Sequence, residues 1–68
     1  QPKIVEFSFA GPGALELPHG LAKAPRRVIP IGMEQTGGSF GWALIGWDDT
    51  NIKAAGTDGT IVRFAVYP

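Results

Sequence analysis

The sequence predicts an all-β fold, a small antiparallel β-sandwich or barrel of about five or six short strands. Apolar and polar residues alternate with the period of two that is typical of half-buried strands. Turn signals rich in glycine, proline and aspartate recur about every 8–12 residues, as in small sandwiches and barrels. No segment of about ten residues has helical spacing. The predicted strands are residues 3–9, 14–17, 28–33, 40–47, 52–55 and 61–67.

Particular residues mark the ends and irregularities of these strands. His19 and Gly20 form a turn that stops the second strand. Pro30 lies inside the third and lacks an amide donor, which predicts an edge strand or a bulge there. Asp58 and Gly59 predict a type I′ hairpin between the last two strands, because Asp-Gly suits a turn with two positive φ angles.

The fourth predicted strand, which follows a glycine-rich turn at 36–39, is apolar on both faces. In a regular strand, Trp42 and Trp47 lie on opposite faces because they are five positions apart. A flat platform of two tryptophans for sugars or bases is therefore not expected, and at least one ring belongs to the core. Cover for both faces must come from a second sheet or another subunit. The two predicted faces are Trp42 and Leu44, and Ala43, Ile45 and Trp47.

Size and composition limit what can stabilise the fold. The 68 residues form one domain, residues 1–68, and a domain this small buries only about 60% of its unfolded surface. There is no cysteine for a disulfide, and a single histidine is too few for a structural zinc site. We therefore expect no metal and no cofactor, and stability from packing, from partner subunits, or from both. Because the chain begins with Gln1, we expect a processed chain or a piece of a longer one.

The charge pattern bears on the class of partner. The formal net charge is zero, whereas dedicated nucleic-acid binders are usually basic, so no nucleic-acid partner is expected. Lys23, Arg26 and Arg27 lie in a stretch without acids, which indicates either a solvated turn or a contact with phosphate or an acidic partner. No run approaches the roughly 18–20 apolar residues of a membrane span, so no membrane partner is expected.

Chemistry-bearing residues are few, and we expect no catalytic residues and no enzyme. His19 has no neighbour in the sequence with which it could share acid–base work. Asp48 and Asp49 suit turn capping better than calcium binding, because the dense spacing of a calcium loop is missing. The glycine-rich run around Ser39 lacks the lysine and the helix of a phosphate-binding loop.

Two segments carry a family resemblance. Residues 19–29, His-Gly-Leu-Ala-Lys-Ala-Pro-Arg-Arg-Val-Ile, resemble a pattern of tailed-bacteriophage virion proteins in which a His-Gly-Leu-Gly turn precedes a proline, a basic residue and a strand. Residues 46–54 resemble the Trp-Asp-x-Thr-x-Ile turn of those chains, and residues 60–67 resemble their alternating last strand. The resemblance covers residues 15–67, with two departures: Ala22 replaces the second glycine, and Pro30 interrupts the following strand.

The resemblance implies a β-sandwich domain of a phage structural protein, in a tail fibre, collar, head fibre or decoration. Such a protein is assembled in the host cytoplasm and resides in the virion. The resemblance also implies a trimer or higher ring that contacts other virion proteins, and the shortage of internal cover independently favours a homo-oligomer. A carbohydrate- or receptor-binding β-module, with glycan contact, is the alternative, followed by a nucleic-acid-binding barrel. The predicted interface residues are Trp42, Leu44, Phe64 and Tyr67.

Overall fold

Six antiparallel β-strands form the fold in the computed structural model, which describes residues 2–11, 13–36 and 41–68. All six predicted strands are present, with bounds that differ by one or two residues, so the predicted all-β fold is confirmed. The predicted start of the fourth strand at Phe40, and most of the predicted turn at 36–39, lie outside the described residues. The strands are β1 (Lys3–Ser8), β2 (Gly13–Pro18), β3 (Arg27–Gln35), β4 (Trp42–Trp47), β5 (Asn51–Gly56) and β6 (Thr60–Tyr67).

The strands form two three-stranded sheets that pack as a sandwich. The first sheet has the order β1-β6-β3 and the second has the order β2-β5-β4. Only β4 and β5 are both consecutive in the chain and paired, so every other connection carries the chain from one sheet to the other. Each sheet therefore has a central strand from the C-terminal part of the chain, β6 or β5, and two edge strands.

The core lies between the sheets and is centred on phenylalanine rings. Phe7 stacks on Phe9 with ring centroids 6.0 Å apart, and meets Phe64 edge to face at 5.7 Å. Aromatic pairs in these geometries contribute beyond their area burial, by about 0.5–1.5 kcal/mol each. Every second residue of β6 is buried, from Thr60 to Val66. The core cluster consists of Val5, Phe7, Phe9, Ile52, Ala54, Val62, Phe64 and Val66.

Both features predicted from Pro30, an edge strand and a bulge, are present. Strand β3 is an edge strand, next to β6, and its register shifts between Pro30 and Gly32, which leaves Ile31 as an extra residue. A proline at an edge loses no ladder hydrogen bond, and a bulge bends the strand locally.

A second bulge, which the sequence pattern did not predict, lies in β4. The register with β5 shifts between Leu44 and Gly46, so Ile45 is the extra residue. The prediction that Trp42 and Trp47 lie on opposite faces is therefore wrong, because an inserted residue reverses the alternation beyond it. Trp42, Leu44 and Trp47 all pair with residues of the inward face of β5, namely Gly56, Ala54 and Ile52.

The predicted type I′ hairpin at Asp58 and Gly59 is also wrong, although a turn is present. Gly59 has a φ of 86°, but no described residue other than glycine has a positive φ, so Asp58 does not fit type I′. The Thr60 amide donates to the Thr57 carbonyl at 3.0 Å, and a positive φ at the third turn position is typical of type II. Because β5 and β6 belong to different sheets, this turn is a crossover between sheets rather than a hairpin.

Candidate interaction surfaces

The four predicted interface residues differ in how much surface they leave for a neighbour. Phe64 is fully buried, with Trp42 packed edge to face against it at 5.6 Å, so the chain itself provides its cover. Trp42 and Leu44 are half-buried and pack against the same core. Tyr67 is half-buried, with the Arg27 guanidinium 4.8 Å from its ring centroid. This placement removes Phe64 from the candidate surface and leaves the other three with partial exposure.

The turn at His19 and Gly20 is a structural junction. His19 is buried, and its Nδ1 accepts a hydrogen bond from the Leu21 amide at 3.0 Å. The proton therefore sits on Nε2, which donates to the Asp48 carbonyl at 2.9 Å. Gly20 has a φ of 76°, a conformation that favours glycine. The imidazole thus joins the turn after β2 to the turn before β5, as a structural group.

Asp48 organises the turn before β5 as the capping residue that the sequence predicted. Its Oδ1 accepts hydrogen bonds from the amides of Asn51, at 2.7 Å, and Thr50, at 2.8 Å. These bonds, that from Asn51 first, lower the pKa of the Asp48 carboxyl below its ordinary value of 3.8. Both hydrogen bonds to the carboxylate fix the backbone of this turn. In the part of the chain that the structure describes, no group of three acidic or histidine side chains could hold a metal ion.

A shallow depression of about 200 Å³ lies on the outer surface of the second sheet. Trp47 borders it on one side, but the indole lies on the inward side of β4, and its Nε1 donates to the Pro25 carbonyl at 2.9 Å. Glu16 and Lys53, which are opposite one another in the β2–β5 register, line the other side. Carboxylate, ammonium and amide groups around a shallow depression are an arrangement that could hydrogen-bond to a sugar. The remaining lining residues are Ile45, Gly46, Asp48 and Asn51.

The predicted basic stretch forms part of one end of the sandwich. Arg26, Arg27 and Tyr67 line a depression of about 280 Å³, and the Arg26 amide donates to the Tyr67 carbonyl at 2.9 Å. Arg27 already lies over the aromatic ring, which leaves Arg26 and Lys23 as exposed cations of this stretch. The exposed cations of this surface could bind a phosphate or a carboxylate. No buried polar group of the described residues points into the depression.

The outer face of the first sheet combines a charged row with an apolar row. Arg63 donates to Glu6 at 2.8 Å and lies 3.6 Å from Glu34, all three being part-exposed. Exposed ion pairs of this kind contribute about 0–1 kcal/mol each. In the next row, Ala65 lies between Ile4 and Ile29, and Ile4 is 56% exposed. This face therefore presents a narrow apolar strip beside a neutralised charge row.

The sheet edges on the β1 and β2 side are the feature that sequence reasoning missed. Strand β2 has no buried residue, and only Leu17 among its six is half-buried. The sequence carries only a weak signal, since residues 13–18 contain one charge, Glu16, and a proline at their end, Pro18. Its recognition required the sheet order, because alternation alone does not distinguish an edge strand from a central one.

All buried side-chain nitrogen and oxygen atoms in the described residues have hydrogen-bond partners, so no orphaned polar group points to a missing ligand there. The described ranges contain no helix long and apolar enough to cross a membrane. Comparison with protein-family models, with curated proteins and with solved structures finds no match to this chain.

Proposed function

We propose that this chain is a non-enzymatic assembly module that packs against copies of itself and against neighbouring proteins. The observation that carries the proposal is the uncovered edge strand β2, where Leu15 is 39% exposed although it faces the interior of the sandwich. Edge strands expose unpaired backbone groups and are natural sites of contact between chains. The zero net charge lowers the repulsion between copies.

We propose a phage virion as the setting, as a component of a tail fibre, collar or head decoration. The support is the resemblance of residues 19–29 and 46–54, together with the contact between these two segments in the structure. The His19 amide donates to the Thr50 carbonyl at 3.1 Å, and its imidazole donates to the Asp48 carbonyl. The two motif segments thus form one junction, which is the arrangement expected if they are a single structural unit.

Light scattering on the purified chain tests the assembly role. The proposed module has a mass above the 7.2 kDa of a single chain at micromolar concentration. A monodisperse monomer over the whole micromolar range would contradict self-assembly. Because the mass is measured directly, a dimer, a trimer and a larger ring are distinguished in the same experiment.

Glycan contact at the depression beside Trp47 is the second candidate function. The observation in its favour is that Glu16, Asn51 and Lys53 line one shallow depression on the outer face of the second sheet. A glycan array with the native assembly tests it, with Asn51→Ala as the variant and the distant Glu34→Ala as the control. The candidate requires a bound sugar whose binding is lost in the first variant and kept in the second. An array without any bound sugar would reject it.

A further inference from the structure

The hydrogen bonds between β2 and β5 determine which backbone groups of β2 are left unpaired at the sheet edge. His19 is opposite Thr50 in the extended β2–β5 register, and its amide donates to the Thr50 carbonyl. Bonded and non-bonded pairs alternate along an antiparallel ladder, so Leu17 and Leu15 face β5 with their backbone groups. The amides and carbonyls of Ala14 and Glu16 consequently point away from the sheet.

The other partner of β5 supports this assignment. The Thr57 amide donates to the Gly41 carbonyl at 3.0 Å, which places the odd-numbered residues of β5 in the bonded pairs with β4. The even-numbered residues, including Ile52 and Ala54, must then bond to β2. Both ladders give the same phase, and Ala14 and Glu16 remain on the free edge.

The other edges are less suited to pairing with another strand. Strand β3 contains Pro30 and a bulge, and β4 contains a bulge at Ile45. Bulges and interior prolines obstruct addition of a strand, whereas the proline of β2, Pro18, is its last residue. Strand β1 is regular, but its inward residues Val5 and Phe7 are already buried, so further cover would add little. In β2, by contrast, Leu15 faces inward opposite the buried Ala54 and is still 39% exposed.

We propose that two copies of this chain pair antiparallel along β2 around a twofold axis, with Leu15 opposite Leu15. Ala14 of each copy is then opposite Glu16 of the other. Both pairs are hydrogen-bonded pairs, because the amides and carbonyls of these two residues point away from the sheet. The two second sheets become one continuous six-stranded sheet, and each Leu15 covers the other. This inference rests on the proposed assembly function and names its contact.

The sequence of β2 selects this register over its neighbours. A shift of the second copy in one direction places Glu16 opposite Glu16, where like charges destabilise a pair. The opposite shift places Leu15 opposite Gly13, which has no side chain to cover it. In the proposed register Glu16 meets only the small Ala14 and keeps Lys53 as its neighbour across the β2–β5 ladder.

Charge variants at Ala14 test the pairing by sedimentation equilibrium. Ala14→Glu places one glutamate of each copy opposite Glu16 of the other, which gives two like-charge pairs per dimer and should weaken dimerisation about tenfold or more. Ala14→Lys places a cation there and should maintain or strengthen it. Ala43→Glu is the matched control, because Ala43 is an exposed alanine on the same outer face but on β4, and it should leave the dimerisation constant unchanged.

Amide hydrogen exchange on the wild-type chain locates the contact. The Ala14 and Glu16 amides should be protected at concentrations where the chain is dimeric and should exchange rapidly after dilution. A monomer at all concentrations would overturn both the proposed function and this pairing. A dimer with equal affinity in Ala14→Glu and Ala43→Glu, a trimeric mass, or unprotected Ala14 and Glu16 amides in the assembled state would overturn the β2 pairing alone.

Discussion

Gly56→Ala is the substitution whose effect the structure specifies most sharply. A Cβ at this position would lie 2.4 Å from Cδ2 and 2.6 Å from Cε2 of the Phe9 ring, whereas ordinary contact begins near 3.4 Å. The ring would have to retreat by about 1 Å in a close-packed interior. It has little freedom to do so, because Phe9 is buried against Phe7 and its backbone is bonded to Thr60 and Gly59.

Overpacking of this kind costs about 1–3 kcal/mol. For a domain of this size, each kcal/mol changes the melting temperature by about 4–8 °C, so Gly56→Ala should lower it by about 10 °C. Gly46→Ala is the matched control on the neighbouring strand, since no atom lies within 4 Å of its added Cβ and its φ is not positive. That variant should be neutral or slightly stabilising, through reduced freedom of the unfolded chain.

Thermal unfolding monitored by circular dichroism measures both variants, and a third variant isolates the cause. In a Phe9→Leu background, the smaller side chain should reduce the cost of Gly56→Ala, which appears as a coupling energy in a double-mutant cycle. Equal melting temperatures for Gly56→Ala and Gly46→Ala would refute the assigned packing between β5 and the Phe9 ring. A full cost that persists without the phenylalanine would show that the origin of the effect lies elsewhere.

Four further results are expected. Gly59→Val should lose about 1–3 kcal/mol, because a β-branched residue resists the φ of 86°, and an unchanged melting temperature would contradict the turn assignment. His19→Ala should lose about 2–3 kcal/mol in denaturant unfolding, because it leaves the Leu21 amide and Asp48 carbonyl unpaired, whereas His19→Asn should retain part of the stability. Because the pKa of Asp48 is lowered in the folded state, its stabilising effect is complete above pH 3.8 and is lost as pH falls through the folded-state pKa. Asp48→Asn should therefore flatten the decline of stability in acid, and an unaltered decline would contradict this role of the carboxylate. EDTA should leave the far-UV spectrum and the melting temperature unchanged, and a large loss of stability would reveal a required metal.

The strand pattern made the fold class and the core of β6 predictable. Val62, Phe64 and Val66 alternate without interruption, and all three are buried. Pro30 is similarly readable, because the missing amide donor has few acceptable places in a sheet. These predictions succeeded because each depends on local chemistry that the rest of the chain does not change.

The bulge at Ile45 and the crossover at Asp58 could not be predicted in the same way. Gly46 inside an apolar strand is a general sign of a bulge, but it does not say which residue is extra, and the extra Ile45 moves Trp47 to the inward side. The Asp-Gly pair marks a turn correctly, but which sheet the next strand joins depends on long-range pairing with β1 and β3. The candidate contact along β2 has the same origin, since its exposure follows from sheet order.

Imaging of the native particle or complex most directly tests the central claim that this chain is an assembly module. We expect multiple copies per particle that contact one another, with the β2 edges of neighbouring copies paired. Isolated copies that contact neither each other nor another structural protein would contradict the assembly role.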